Sequence, residues 1–210
     1  MILVRHGETA AQADNRYVGT SDIALAPAGR EQAEELGRWA AQNRLDALWS
    51  STLRRALETA AVVARHTGLE PRTDARLREL DFGEAEGHTL AEMQQLYPQA
   101  VEAFRFDPVK HPLPGGEDPR EAVRRAMACL EEVVAAHPTG RVLLVAHNTL
   151  IRLVLCELLG LPLSKYRLRL GGLLPCARAS LELGGEAASL LEFNVAPGPY
   201  VQGLPGPSRP

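Results

Sequence analysis

Four short segments of this chain carry residues whose types could act together on a charged ester. The first, Leu3-Val4-Arg5-His6-Gly7-Glu8-Thr9, sets an arginine and a histidine just past an apolar run, next to a glycine that lets a ligand approach the backbone. A neutral imidazole can attack phosphorus, and neighbouring guanidinium groups both hold phosphoryl oxygens and keep the imidazole from protonating. The second segment, residues 50–60, places Arg54 and Arg55 where a strand feeds a helix, so free N–H groups and the helix dipole favour an anion there. The third, residues 77–87, holds Glu79, Glu84 and Glu86. A carboxyl can protonate a leaving oxygen if its surroundings exclude water, but residue type and spacing do not choose among these three. The fourth, residues 142–152, sets His147 between an apolar strand and a helix, where an imidazole can stabilise charge on a phosphoryl group.

Each segment also has a plainer reading. Arg-His-Gly triplets are common, a strand-end histidine can be structural, and glutamates beside a turn are usually surface charge. An Arg54-Arg55 pair reads as a solvated helix face, and for Arg54 that reading is preferred. The other histidines, His66, His88, His111 and His137, match none of the four segments. No pair has the spacing of a metal site on one helix face, so no metal is expected, and no glycine-rich nucleotide loop is present.

These residues need elements to position them. Residues 1–4 read as a short buried strand that delivers Arg5 and His6 to its carboxyl end. Pro27 suits the first turn of a helix with Ala33, Leu36 and Ala40 on one face, and residues 46–49 resemble a second strand. Residues 53–66 form a helix closed by Gly68, followed by a short extended piece at 70–73. The stretch 81–119 is richer in Gly, Pro and charge, shows only a brief helical pattern at 90–97, and reads as a cap inserted over the site. A strong amphipathic helix spans 121–136, then a strand at 142–146, a helix at 150–159, and a terminal hairpin of 179–183 and 189–193. The alternation predicts one α/β domain: a three-layer sandwich with a mostly parallel central sheet and the helical or loop cap. That domain covers 1–196 with the cap at about 81–119, and 197–210, with five prolines and three glycines, reads as a mobile tail.

The 210 residues, 45% of them hydrophobic, suffice for one substantial core. With 23 basic and 26 acidic residues scattered along the chain there is no basic stripe, so nucleic acid is not an expected partner. Only Lys110 and Lys165 are lysine, which leaves many arginine forks suited to phosphate. Cys129, Cys156 and Cys176 follow no metal spacing and their odd number argues against a disulfide framework, so a reducing cytoplasm is the expected home. No stretch is apolar enough to predict membrane insertion, and a homodimer is left open.

The first segment resembles the signature of the histidine phosphatase superfamily, also called phosphoglycerate mutase-like. The run Arg16, Gly19, Asp22, Leu25, Gly29, Gln32 and Ala33 continues its pattern, and the other three segments follow in the family's order. The resemblance implies a phosphohistidine enzyme without a cofactor: His6 as nucleophile, Glu79 as proton donor, and Arg5, Gln12, Gly19, Arg55 and His147 binding the phosphate of a small ester. Three departures stand out. Ala11-Gln12 replaces the common Trp-Asn, so any contact there falls to the longer amide of Gln12. Ala85 replaces a tryptophan, which is expected to enlarge the pocket. Asn148 replaces a glycine, and asparagine tolerates the positive φ that such a position would need. The Asp81-Phe82-Gly83 form of the third segment looks more like the phosphatase branch than the mutases, so hydrolysis is expected. Mutase-type transfer, or a binding module that has lost turnover, are the alternatives.

Overall fold

The computed structural model describes residues 1–184 and 187–198. Six strands among them form one sheet: β1 (Ile2–Arg5), β2 (Ala47–Ser51), β3 (Pro71–Asp74), β4 (Val142–Ala146), β5 (Arg178–Leu183) and β6 (Ala188–Val195). The spatial order is β3-β2-β4-β1-β5-β6; the first four are parallel and the last two antiparallel.

The alternation of side chains along the two central strands creates the layers. Ile2 and Val4 of β1, with Leu143 and Val145 of β4, face a cluster containing Leu36 and Ala40 of α2 (Pro27–Gln42) and Ala56 and Ala60 of α3 (Arg54–Thr67). Leu3, Val142, Leu144 and Ala146 face the other way, into a cluster with Leu130 and Val133 of α6 (Pro119–Ala136) and Leu150 and Leu153 of α7 (Asn148–Leu158). Apolar residues on both faces are what a covered parallel sheet requires, and the result is the helix, sheet, helix sandwich read from the sequence.

Local chemistry explains where the helices begin and end. α2 and α6 open on a proline in the first turn, and Asp118 accepts the Arg120 N–H at the start of α6. α3 closes on Gly68 at φ 74°, a left-handed cap that glycine adopts without strain. Between β1 and α2 lies a single turn of helix, α1 (Ala10–Ala13); another, α8 (Tyr166–Arg169), follows α7.

The 81–119 stretch contains more helix than its composition suggested. A capping box of Thr89 and Glu92 starts α4 (Leu90–Leu96), and a further helix, α5 (Pro98–Phe106), follows directly. Pro98 occupies the first turn of α5, and Val101 and Phe104, three apart, are its buried face. With Phe82 and Met93 they join the same cluster as α6 and α7 rather than forming a core of their own. No helix among the described residues is long and apolar enough to cross a membrane. The expected tail lies, from residue 199 onward, outside the described residues.

Candidate active site

The carboxyl ends of β1, β2 and β4, adjacent in the sheet, converge on one point. His6 leaves β1 with its ring buried, and its two nitrogens have fixed roles. Nδ1 lies 2.7 Å from the Gly7 carbonyl, which can only accept, so Nδ1 carries the proton. Nε2 lies 3.2 Å from Arg55 Nε, which can only donate, so Nε2 presents its lone pair. Burial, then Arg55, then Arg5, holds the His6 pKa well below its ordinary value, with the Gly7 contact opposing. The imidazole is therefore neutral, with the electron pair on the nitrogen that faces the cations. Gly7 is held in turn by its N–H bond to Thr59 Oγ1, and a Cβ at Gly7 would stand 2.5 Å from the Gly29 carbonyl oxygen.

Arg55 is buried, which sets aside the solvated-face reading for it. Its Nη1 and Nη2 donate to the carbonyls of Ser21 and Gly19 at 2.8 and 2.7 Å, leaving one N–H on each free for an anion. Arg54 instead points outward and pairs with Glu58, one turn on, as its plainer reading predicts. Arg5 donates from Nη1 to the Leu173 carbonyl, while its Nε is buried without a partner. Burial lowers the Arg5 pKa to about 10, opposed chiefly by Glu79.

His147 caps the start of α7 and is fully buried. Its Nε2 lies 2.8 Å from Ser51 Oγ, and the Leu53 N–H donates to the same oxygen. A hydroxyl that accepts from Leu53 can also donate to Nε2, and in that tautomer the imidazole proton sits on Nδ1, an atom with no partner in the structure. Burial first, then Arg55 and His6, lowers the His147 pKa well below its ordinary value, so it acts as a neutral donor. The two imidazole rings are 5.1 Å apart. The buried Arg5 Nε and His147 Nδ1, with no partner in the structure, are groups whose chemistry suits an anion.

Among the three acids, geometry separates what residue type left open. Glu79 is buried at the start of α7: Oε1 accepts the N–H groups of Leu80 and Leu150, and Oε2 that of Thr149, all at 2.9 Å. Oε2 accepts one bond where Oε1 accepts two, so it is the oxygen with room for a proton. Glu84 is exposed. Glu86 accepts the N–H groups of Thr20 and Ser21, at 2.7 and 2.9 Å, and the Ser21 hydroxyl, so it pins the loop whose carbonyls grip Arg55. Gly19 sits in that loop; a Cβ there would meet the Glu86 carboxylate and come within 2.5 Å of the Leu80 carbonyl oxygen. Its structural part is this close approach, together with its carbonyl bond to Arg55.

Two of the departures have a definite place in the structure. Ala85 is fully buried in the larger core cluster. Asn148 opens α7 and is not among the described residues with positive φ; its Oδ1 accepts the Leu173 N–H, steadying the segment that Arg5 grips. Gln12 lies in α1, and its side chain falls outside the described residues.

A cavity of about 430 Å³ opens beside Glu79, lined in part by Thr20, Arg78, Asp81, Glu117 and Arg125. Arg125 of α6 uses its whole fork here. Nε and Nη2 take the two Glu117 oxygens at 2.8 and 2.9 Å, and the remaining N–H groups reach the carbonyls of Arg76, Arg78 and Glu79. Neither Arg125 nor Glu117 stood out in the sequence. Among the described residues no three His, Cys, Asp or Glu side chains gather as a metal-binding group.

A mostly parallel α/β sheet brings two neutral histidines, two arginines and a buried carboxyl to its carboxyl edge, an arrangement whose chemistry suits a phosphoryl group. The chain belongs to the histidine phosphatase superfamily (branch 1), whose family model matches residues 1–196. It is 34% identical over 166 residues to phosphoserine phosphatase 1 of Hydrogenobacter thermophilus, covering 79% of each chain. It is also 34% identical over 173 residues to a probable phosphoglycerate mutase of Salmonella choleraesuis, covering 80% of this chain and 79% of that one. A solved mycobacterial glucosyl-3-phosphoglycerate phosphatase in complex with VO3 superposes with a TM-score of 0.84 at 32% identity, covering 93% of this chain and 98% of the other.

Proposed function

We propose that this protein hydrolyses small phosphate monoesters through a phosphohistidine on His6. The observation that carries the reading is the fixed tautomer of His6, with its free electron pair on Nε2 inside a group of buried cationic and neutral donors. Nε2 attacks phosphorus in line with the ester oxygen; the N–P bond forms as the P–O bond breaks. Arg5, the spare N–H groups of Arg55, and Nδ1–H of His147 hold the phosphoryl oxygens as charge builds on them. Glu79 gives the departing oxygen its proton from Oε2. Water then displaces phosphate from His6, and Glu79 takes a proton back. The loop of Gly19 supports Arg55.

Relatives named for hydrolysis of phosphate esters, among them the phosphoserine phosphatase and the glucosyl-3-phosphoglycerate phosphatase, support water as the acceptor. The segment between Asp81 and Pro119 closes the substrate side, and residues 1–196 work as one domain. The cations that neutralise phosphate are supplied by arginine, so activity is independent of metal. Rapid quenching with ³²P-labelled substrate tests the mechanism: an acid-labile adduct forms on the wild type and is absent from His6→Ala, and turnover survives a chelator. Phosphate that passes only to a second hydroxyl would make the protein a mutase, and a wild type that forms no adduct with any ester would refute the reading.

A further inference from the structure

The peptide group that joins Gly7 to Glu8 is gripped at both of its poles. On one side its carbonyl oxygen takes the His6 Nδ1 proton at 2.7 Å. On the other its N–H donates to Gln32 Oε1 of α2 at 2.9 Å. A trans peptide points these two groups in opposite directions, so the imidazole and Gln32 act on it from opposite sides. The orientation of the Gln32 amide is settled by its partners: the Glu8 N–H can only donate, so an oxygen faces it, and Nε2 turns to Glu8 Oε2 at 3.3 Å. The turn itself does not depend on Gln32. The Gly7 N–H is held by Thr59 Oγ1 and the Glu8 carbonyl by the Ala26 N–H, at 3.1 and 2.9 Å.

We propose that Gln32 is a positioning residue for the nucleophile, holding and polarising the Gly7 carbonyl so that the His6 proton stays on Nδ1 while Nε2 attacks. The proposal rests on the phosphohistidine reading above and deepens it. In the resting protein Arg55 enforces the same tautomer from the other side of the ring, but its contact, at 3.2 Å, occupies the electron pair that must reach phosphorus. That contact breaks as the phosphoryl group arrives, and the Gly7 carbonyl then holds the proton in place. Forming the N–P bond leaves positive charge on the ring, so Nδ1–H becomes a stronger donor and its bond to Gly7 gains most in the transition state. Burial, Arg55 and Arg5 oppose charge on this ring, and the Gly7 contact favours it. An amide whose N–H is itself donating is a better acceptor at its carbonyl, and through that peptide Gln32 acts on the imidazole.

Gln32→Met in the full chain fills the same space without the amide oxygen, and single-turnover quenching with ³²P-labelled p-nitrophenyl phosphate reads the rate at which His6 is phosphorylated. The rate constant falls by about 10-fold, the low end for a hydrogen bond to a charged group, while the inhibition constant of inorganic phosphate stays within about twofold of the wild type. In proton NMR of the resting protein the His6 Nδ1–H resonance moves upfield as its bond to Gly7 weakens. Gln32→Asn, whose amide is one carbon short, takes the place of the methionine variant if that does not fold. An unchanged rate of adduct formation or an unshifted resonance overturns the proposal. So does a loss of phosphate binding by the same factor as the rate, which would make Gln32 a support of the phosphate pocket instead. A wild type that forms no adduct would refute the phosphohistidine reading, and the resonance would still show whether Gln32 acts on the ring.

Discussion

Mild acid should destabilise this protein through the same two imidazoles that are proposed to serve its chemistry. His6 and His147 are held well below the ordinary value of 6.5, mainly by burial, with Arg55 the next cause for both. Unfolding releases each ring to a pKa near 6.5, so on acidification the unfolded chain takes up protons that the native chain refuses. The contribution is present above the unfolded pKa and is lost as the pH falls below it, because the unfolded state binds more protons. If the native rings stay neutral, going from about pH 7 to about pH 5.5 costs at most roughly 1.3 kcal/mol per imidazole and roughly 2.5 kcal/mol for the pair. That is a large share of a domain stability of about 5–15 kcal/mol. Urea unfolding followed by circular dichroism at both pH values measures it. Carboxylates also titrate, so the useful quantity is the difference from His6→Asn and His147→Asn, each of which should lose about 1.3 kcal/mol less than the wild type on acidification. Equal losses in all three proteins, within about 0.3 kcal/mol, would mean that His6 titrates as an ordinary surface histidine. The argument for a nucleophile kept neutral by its surroundings would then fail.

Two substitutions examine the proposed proton donor. In Glu79→Gln, kcat for an alkyl phosphate should drop by about 10²- to 10⁴-fold while p-nitrophenyl phosphate, whose phenolate leaves without help, loses far less; equal losses would deny Glu79 the role of acid. Arg125→Gln strips the partners from Glu117 and from the carbonyls of Arg76, Arg78 and Glu79, and should cost about 3 kcal/mol in urea unfolding. It should also shift the leaving-group dependence in the same direction as Glu79→Gln by a smaller factor, because Arg125 positions the segment that carries the acid; an unchanged dependence would leave it a purely structural role.

The residues legible in the sequence are those placed by an element of their own. Arg5 and His6 follow a buried apolar run, and His147 follows another, so strand ends announced them. The helices with strong one-sided spacing were equally plain, whereas α5 was hidden because its start lies directly after the end of α4 and only Val101 and Phe104 mark its face. What the sequence hid was the set of side chains that act on the site from far along the chain. Glu86 reaches back to Thr20 and Ser21, and Arg125 to Arg76, Arg78 and Glu79; nothing local in either neighbourhood distinguishes these residues from surface charge.

Those long-range contacts make the tuning of His6 a property of the whole fold. Its Nε2 faces Arg55 because Arg55 is gripped by the carbonyls of Gly19 and Ser21, and those carbonyls are in place because Glu86 holds the N–H groups of Thr20 and Ser21. Glu86 closes the 3-10 turn Gly83–Ala85 that follows Glu79, so one short segment carries the proposed acid and also steadies the cation beside the proposed nucleophile. A displacement of that segment would therefore move the proton donor away from the leaving oxygen and loosen the guanidinium from His6 at once. Losses from changes at Glu79 and at Glu86 should for that reason fail to add, since both act through one piece of backbone.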